Sequence, residues 1–327
     1  MTSGGERLLS ARNLVTTFDT PSGRVRAVDG VDLDLHSSEV VCLVGESGSG
    51  KSVLGLSLLG LIDPPGRVSC DSLRFDGRDL VSLPEPEMDR LRGREIAMIF
   101  QEPLSALNPS RRVGDQIAEV LRVHSLASPA EAMDRAIEWL GLVGIEDAKS
   151  RARSYPHQLS GGQRQRVTVA IACICNPKLI IADEPTTALD VTVQAQVLDL
   201  LIDMQARMGS ALLFITHDLG VVAEIADRVV VLYAGQVVEE AEVHDLYSRP
   251  AHPYTIGLLA SVPDVETPRK QGIPLSAIPG TVPNPLDLDA GCRFRNRCSK
   301  AHDRCVQEPP MIDLQDGHRV RCWLHAG

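Results

Sequence analysis

Residues Gly45, Glu46, Ser47, Gly48, Ser49, Gly50, Lys51 and Ser52 follow the spacing G-x-x-x-x-G-K-S, a set of residue types suited to wrapping a polyphosphate. Glycines at 48 and 50 let backbone N–H groups turn inward and approach phosphate oxygens with no Cβ in the way. A helix predicted over 53–62 would begin with unpaired N–H groups and the positive end of its dipole. Lys51 supplies a full charge for the outer phosphates, and the Ser52 hydroxyl can ligate Mg²⁺. The apolar run Val40, Val41, Cys42, Leu43, Val44 reads as the buried strand leading in. Strand before and helix after are the context this spacing requires. The stretch is therefore read as a nucleoside triphosphate site built from Gly45, Ser47, Gly48, Ser49, Gly50, Lys51, Ser52 and Val53.

Three further groups could act on such a ligand. Leu179 to Ala182 is a continuous apolar run ending in Asp183 and Glu184, as expected of a strand buried on both faces with carboxylates at its carboxyl end. Asp183 fits a contact to a Mg²⁺-bound water, and Glu184 fits a general base for the attacking water. His217 closes another apolar run, 211–216. Two readings stand for it, a structural histidine or a donor to the γ-phosphate. Ser160, Gly161, Gly162 and Gln163 open a predicted helix that runs to about 175. Ser160 and Gln163 form a capping box, but two glycines in a first turn are poor helix formers. They point to a ligand touching the backbone there. This second anion-binding helix end suggests that one site completes another molecule's pocket.

The elements that must position these groups follow in order. Strands are expected over 12–17 and 25–35 with a turn at Pro21, Ser22 and Gly23, then over 68–75 and 94–100. Phe18 ends the first strand, where core packing and stacking on an adenine both fit it. From about 104 to 160 the period turns helical, with a helix over 113–123. Another is capped by Ser128 with Pro129 at its first position. Asp190 precedes a helix over 192–208, as a cap or an interface contact. A hairpin is expected over 229–239.

Composition narrows the class. With 327 residues and a net charge of −10, the chain has room for a sizeable core and lacks the basic excess of a general nucleic-acid binder. No apolar run approaches the ~18 residues of a membrane span, and no secretory signal is visible near Met1, so a soluble, cytoplasmic protein is expected. From about 262 the chain is proline-rich. Cys292, Cys298, Cys305 and Cys322 have the spacing C-x5-C-x6-C-x16-C, which suits a metal site more than disulfides in a reducing compartment. Zinc, iron–sulfur and free thiols all remain compatible with it. Arg293, Arg295, Arg297, Lys300 and Arg304 are expected to offset thiolate charge.

Together these motifs resemble the ATPase subunit of an ATP-binding-cassette (ABC) transporter over roughly 8–254. Gly45 to Ser52 resembles the Walker A loop, Gln101 the Q-loop glutamine, Leu159 to Gln163 the signature motif, and Ile180 to Glu184 Walker B with its catalytic glutamate. Ala188, Leu189 and Asp190 resemble the D-loop, His217 the switch histidine, and Phe18 the adenine-stacking aromatic. The resemblance implies an α/β fold with a P-loop (RecA-like) core, an antiparallel β-subdomain, a helical insert and a small irregular Cys-containing extension. Expected bounds are 1–255 for the nucleotide domain, with the insert about 104–160, and 256–327 for the extension. It implies catalysis by Lys51, Glu184 and His217, with ATP held by the loop, Phe18, Gln101, Asp183 and Asp190. Ser160, Gly161, Gly162 and Gln163 would contact a second ATPase paired head to tail. Mg²⁺ would meet Ser52, Gln101 and Asp183.

Phe100-Gln101-Glu102-Pro103-Leu104-Ser105-Ala106-Leu107-Asn108-Pro109, His252-Pro253-Tyr254-Thr255 and Ile278-Pro279-Gly280 followed by Gly291-Cys292-Arg293-Phe294 are similar to the oligopeptide/dipeptide importer subgroup. That implies a homologous second ATPase, two transmembrane permease subunits, an extracellular or periplasmic substrate-binding protein, and a peripheral place on the cytoplasmic membrane face. Nickel or another small solute is the alternative cargo, and a soluble ABC ATPase the alternative machine. The subgroup's four-cysteine tail site implies a [4Fe–4S] cluster, with Zn²⁺ as the alternative.

Overall fold

In the computed structural model, residues 5–187, 189–261, 278–288 and 290–326 are described, the Leu104 side chain excepted. The chain opens with strands β1 (Arg7–Thr20), β2 (Gly23–His36) and β3 (Val40–Val44), then helix α1 (Lys51–Leu58). Next come β4 (Gly66–Ser69), β5 (Ser72–Phe75), β6 (Arg78–Asp79), α2 (Glu85–Leu91) and β7 (Ile96–Ile99). A helical stretch follows: α3 (Pro103–Ala106), α4 (Val113–Val123), α5 (Pro129–Leu142), α6 (Ala148–Arg151) and α7 (Gly161–Cys173). The chain continues through β8 (Leu179–Asp183), α8 (Val191–Met208), β9 (Ala211–Thr216), α9 (Leu219–Ile225), β10 (Arg228–Tyr233) and β11 (Gln236–Glu242). After α10 (Val243–Ser248) and α11 (Pro253–Ala260), the tail contributes β12 (Ile312–Asp313) and β13 (Arg319–Val320).

Two compact units divide the chain. One comprises Met1–Leu8, Leu35–Glu39 and Asp76–Phe214; the other comprises Leu9–Asp34, Val40–Phe75 and Ile215–Gly327.

In the first unit, β7 and β8 run parallel, with Ile96 opposite Leu179 and Ile99 opposite Ala182. Every residue of β8 is buried, which is why its sequence is apolar without alternation. Against this pair α7 packs on β7, and α4 and α5 pack on α7 and on each other; Ile117, Leu121, Ala136, Leu140, Val167 and Ala170 are all essentially inaccessible. Ser128 caps α5 as expected, accepting from the Glu131 N–H at 3.4 Å, with Pro129 in the first turn.

The second unit holds an antiparallel sheet in which β1 pairs β4, with Phe18 opposite Gly66, and β5, with Leu9 opposite Phe75. The single strand expected over 68–75 is two strands. Asp71 between them donates its N–H to the Arg12 carbonyl at 3.0 Å, and Asn13 reaches its carboxylate at 3.2 Å. In the same unit β3 pairs β10 in parallel, with Cys42 opposite Val229, and β10 turns into antiparallel β11. The helix after the phosphate loop ends at Leu58, with Leu59 as its cap, not at 62.

The tail is more regular than its prolines suggested. β13 pairs antiparallel with β11, Glu239 opposite Val320, and β12 pairs with β13. A buried carboxylate secures this junction. Glu239, fully buried, accepts from the N–H groups of Ala251 and His252 at 2.6 and 2.8 Å and lies 2.7 Å from His318 Nε2. A carboxylate can be buried only when its oxygens are met in this way. Pro263, Pro268 and Pro274 lie outside the described residues.

Candidate functional site

The phosphate loop belongs to the second unit and connects β3 to α1. Two of its glycines are forced by neighbours. A Cβ on Gly45 (φ +156°) would collide with the Leu232 carbonyl, and one on Gly50 (φ +103°) with the Ala27 carbonyl. Gly48 (φ +78°) faces open space, so only its backbone conformation asks for glycine. The tip, Ser47 and Gly48, is exposed, whereas Ser49 and Lys51 are buried. Lys51 turns into the loop, donating Nζ to the carbonyls of Gly45 at 2.9 Å and Glu46 at 3.1 Å. Ser49 Oγ is buried and finds no hydrogen-bond partner among the described residues. The first helical bond runs from the Leu54 N–H to the Gly50 carbonyl at 2.9 Å, and Gly50 brings no side chain to cap the first turn, which holds Lys51, Ser52 and Val53. A cradle with no room for a Cβ at Gly45 or Gly50, an ammonium bonded to its backbone and an orphaned buried hydroxyl together fit a polyphosphate.

His217, at the end of β9, lies in this same unit. It lines a recess of about 100 Å³ with Val44, Gly45, Glu46, Leu219 and Leu258. The structure thus brings the histidine to the start of the phosphate loop. Phe18 is half-buried. Its ring edge lies against Gly66 on β4, where a Cβ would meet Phe18 Cε1 at 2.7 Å.

Gln101, Asp183, Glu184, Asp190 and the helix led by Ser160 belong to the first unit. Asp183 is 6% exposed at the end of β8. Glu184 follows with φ +45°, a left-handed conformation that costs a non-glycine residue energy and recurs where geometry matters more than comfort. Its Oε2 accepts from Gln101 Nε2 and from the Thr187 hydroxyl, each at 3.0 Å. The two predicted residues Gln101 and Glu184 are therefore in contact. Thr187 was missed, and no spacing rule marks it. Asp190 caps α8, accepting from the Val193 N–H at 3.0 Å. Ala188, the first residue of the D-loop match, lies outside the described residues.

The capping box of α7 is complete: Gln163 N–H to Ser160 Oγ at 3.2 Å, Ser160 N–H to Gln163 Oε1 at 3.1 Å. Its two glycines differ. A Cβ on Gly162 would lie 2.5 Å from Val193 Cγ1, whereas one on Gly161 would make ordinary contact with Leu189 at 3.7 Å. Close packing of α7 on α8 accounts for Gly162 without a ligand. Only Gly161, which no neighbour crowds, still points to a ligand at this backbone.

Cys292, Cys298, Cys305 and Cys322 line one tight recess of about 10 Å³ with His252, Phe294 and Trp323. The spacing C-x5-C-x6-C-x16-C gave no geometry, yet the fold gathers all four. Burial pushes Cys292 up to about 11 and raises Cys298 and Cys322, with the neighbouring thiols adding repulsion. Among the described residues, no set of three or more His, Cys, Asp or Glu side chains is placed to hold a metal ion. Of the expected counter-charges, Arg295 and Lys300 line the recess and Lys300 eases the ionisation of Cys298, whereas Arg293 pairs with Asp29, Arg297 with Glu46, and Arg304 stacks 4.4 Å over Trp323. Elsewhere Cys173, buried at the end of α7, is raised to about 12 by desolvation, as a packed thiol should be.

Comparison with known proteins gives consistent matches. Residues 28–187 match the family described as ABC transporter, and residues 238–305 the family described as oligopeptide/dipeptide transporter, C-terminal region. The chain is 50% identical over 320 residues to the oligopeptide transport ATP-binding protein AppD of Bacillus subtilis, covering 97% of each chain. It is 48% identical over 316 residues to the dipeptide transport ATP-binding protein DppD of Escherichia coli, covering 96% of each. Among solved structures, a dimeric post-hydrolysis state of the ATP-binding cassette MJ0796 bound to ADP and Pi aligns with TM-score 0.64. That alignment has 28% identity and covers 72% of this chain and 99% of the other.

Proposed function

The chain belongs to the ATP-binding-cassette ATPases of the oligopeptide/dipeptide importer type, and we propose that its residues 45–52, 183, 184 and 217 carry the ATP hydrolysis that drives uptake of peptides. As a family member it is the ATPase subunit of a peptide importer. The observation that carries the residue assignment is the phosphate loop itself, with Lys51 bonded into a cradle in which Gly45 and Gly50 have no room for a side chain.

In this reading the loop amides and Lys51 bind the β- and γ-phosphates, and Phe18 packs on the adenine. Glu184 takes a proton from the attacking water, held in place by the hydrogen bond from Gln101. His217 donates to the γ-phosphate. Mg²⁺, with Ser52, Gln101 and Asp183 as its proposed ligands, would neutralise charge developing on the phosphates. The Ser160 helix end meets the nucleotide of a second, homologous ATPase paired head to tail. Two permease subunits and an external substrate-binding protein complete the machine. No described helix is long and apolar enough to cross a membrane, which suits a peripheral subunit on the cytoplasmic face. The test is Glu184→Gln in the assembled complex: ATP binding persists while turnover and peptide uptake are lost. Hydrolysis at the unaltered rate would remove Glu184 as the base.

For the tail, the proposal is a [4Fe–4S] cluster on Cys292, Cys298, Cys305 and Cys322. What supports it is that four thiols line one recess, the ligand number such a cluster takes, and zinc is the alternative occupant. Such a cluster would staple a segment poor in regular structure. Anaerobic purification distinguishes the two: a brown protein absorbing near ~400 nm supports the cluster, and a colourless one containing zinc refutes it.

A further inference from the structure

Two arginines of the segment between Cys292 and Cys298 reach the phosphate loop or its supports. The Arg297 side chain is 5% exposed and donates Nη1 to Glu46 Oε2 at 2.6 Å and Nη2 to Glu46 Oε1 at 3.0 Å. This is the two-pronged pairing for which a planar guanidinium is suited and an ammonium is not. Its Nε donates to the Pro279 carbonyl at 2.8 Å, and Nη1 also reaches the Tyr233 hydroxyl at 3.3 Å. The guanidinium is thus held by the tail and the sheet as well as by the loop.

Glu46, the second residue of the loop, is gripped at three points. Besides its side chain, its N–H donates to the Tyr254 hydroxyl at 2.8 Å and its carbonyl accepts from Lys51 Nζ at 3.1 Å. Tyr254 in turn packs against Tyr233 and Phe294 with ring centroids 4.6 and 5.4 Å apart. Arg293 supports the loop's far end. It bonds to the Ala234 carbonyl and to Asp29, and the next N–H, that of Gly235, donates to the Ser49 carbonyl at 2.8 Å. These contacts give a physical purpose to the His252-Pro253-Tyr254 and Cys292-Arg293-Phe294 stretches, which ATP chemistry alone leaves unexplained.

We infer that Arg297 is a positioning residue for nucleotide binding: through Glu46 it fixes the phosphate loop and the Lys51 ammonium, and so ties the cysteine-bearing tail to the ATP site. The inference rests on residues 45–52 being the nucleotide loop. Removing the guanidinium leaves the Glu46 carboxylate without its counter-charge and frees the backbone that orients Lys51.

The test is a nucleotide titration together with kcat and KM for ATP in the assembled complex, for Arg297→Gln, Glu46→Gln and the double variant. Each single change is expected to raise the nucleotide Kd and the KM about tenfold while kcat moves less. The double variant should be no worse than the weaker single, because both remove one interaction. Arg297→Lys should recover only part of the affinity. Losses that multiply to about a hundredfold in the double variant would overturn the inference. So would an unchanged Kd in Glu46→Gln, a variant that leaves the tail intact should Arg297→Gln fail to fold. Lys51→Ala separates the two levels. Unchanged binding in Lys51→Ala removes the nucleotide-loop reading itself, whereas lost binding there beside normal binding in Glu46→Gln overturns only the positioning role.

Discussion

Glu184 stands at φ +45° with one carboxylate oxygen accepting from both Gln101 and Thr187. Those contacts make Glu184→Gln a sharper probe than Glu184→Ala. The amide keeps the shape and an acceptor oxygen but cannot take a proton from water, so turnover should fall about a hundredfold or more with little change in nucleotide affinity. The residue's identity and place were legible because a carboxylate after a continuous apolar strand is a local pattern. Its strained backbone and its contact with Gln101, 83 positions earlier, were not, since both are products of tertiary structure. His252 makes the same point. It caps α11 by accepting from the Tyr254 N–H at 3.0 Å and, fully buried, is held neutral far below the usual histidine range, at about 3. As a sequence it was only part of a recognisable tetrapeptide.

At the scale of elements, patterns with a strong local cause were read to within a residue or two. The α4 helix and strand β9 have the expected limits because their periodicity and length leave one choice. The break between β4 and β5 was hidden, since Asp71 becomes a turn only through its bonds to β1. The helix α7 shows where a sound observation had a second cause. Gly162 faces Val193 on α8, so a substitution there tests packing before it tests ligand binding. Gly162→Ala should cost about 1–3 kcal/mol through overpacking, visible in thermal unfolding, and Val193→Ala should restore most of it. Gly162→Ala without loss of stability would show that α7 and α8 are not as close as this. Gly161→Ala is the cleaner probe of the helix end.

At the scale of the whole molecule, the family and the fold were legible because several short motifs occur in one order, and motifs of that kind need no long-range information. The tail was not, because its fold rests on pairing with distant strands. β13 joins β11, Glu239 is shared by His252 and His318, and Arg297 crosses to Glu46. The same limit applies to assembly: the proposed pairing of the Ser160 helix end with another ATPase's nucleotide is a contact that only the pair can display. The most direct measurement is the position of Ser160 in a nucleotide-bound structure of the assembled importer. The account predicts Ser160 Oγ at hydrogen-bonding distance, about 3 Å, from a phosphate oxygen held by the partner ATPase's loop. Ser160 and Gly161 standing more than about 10 Å from every phosphate, beyond the reach of any hydrogen bond, would contradict it.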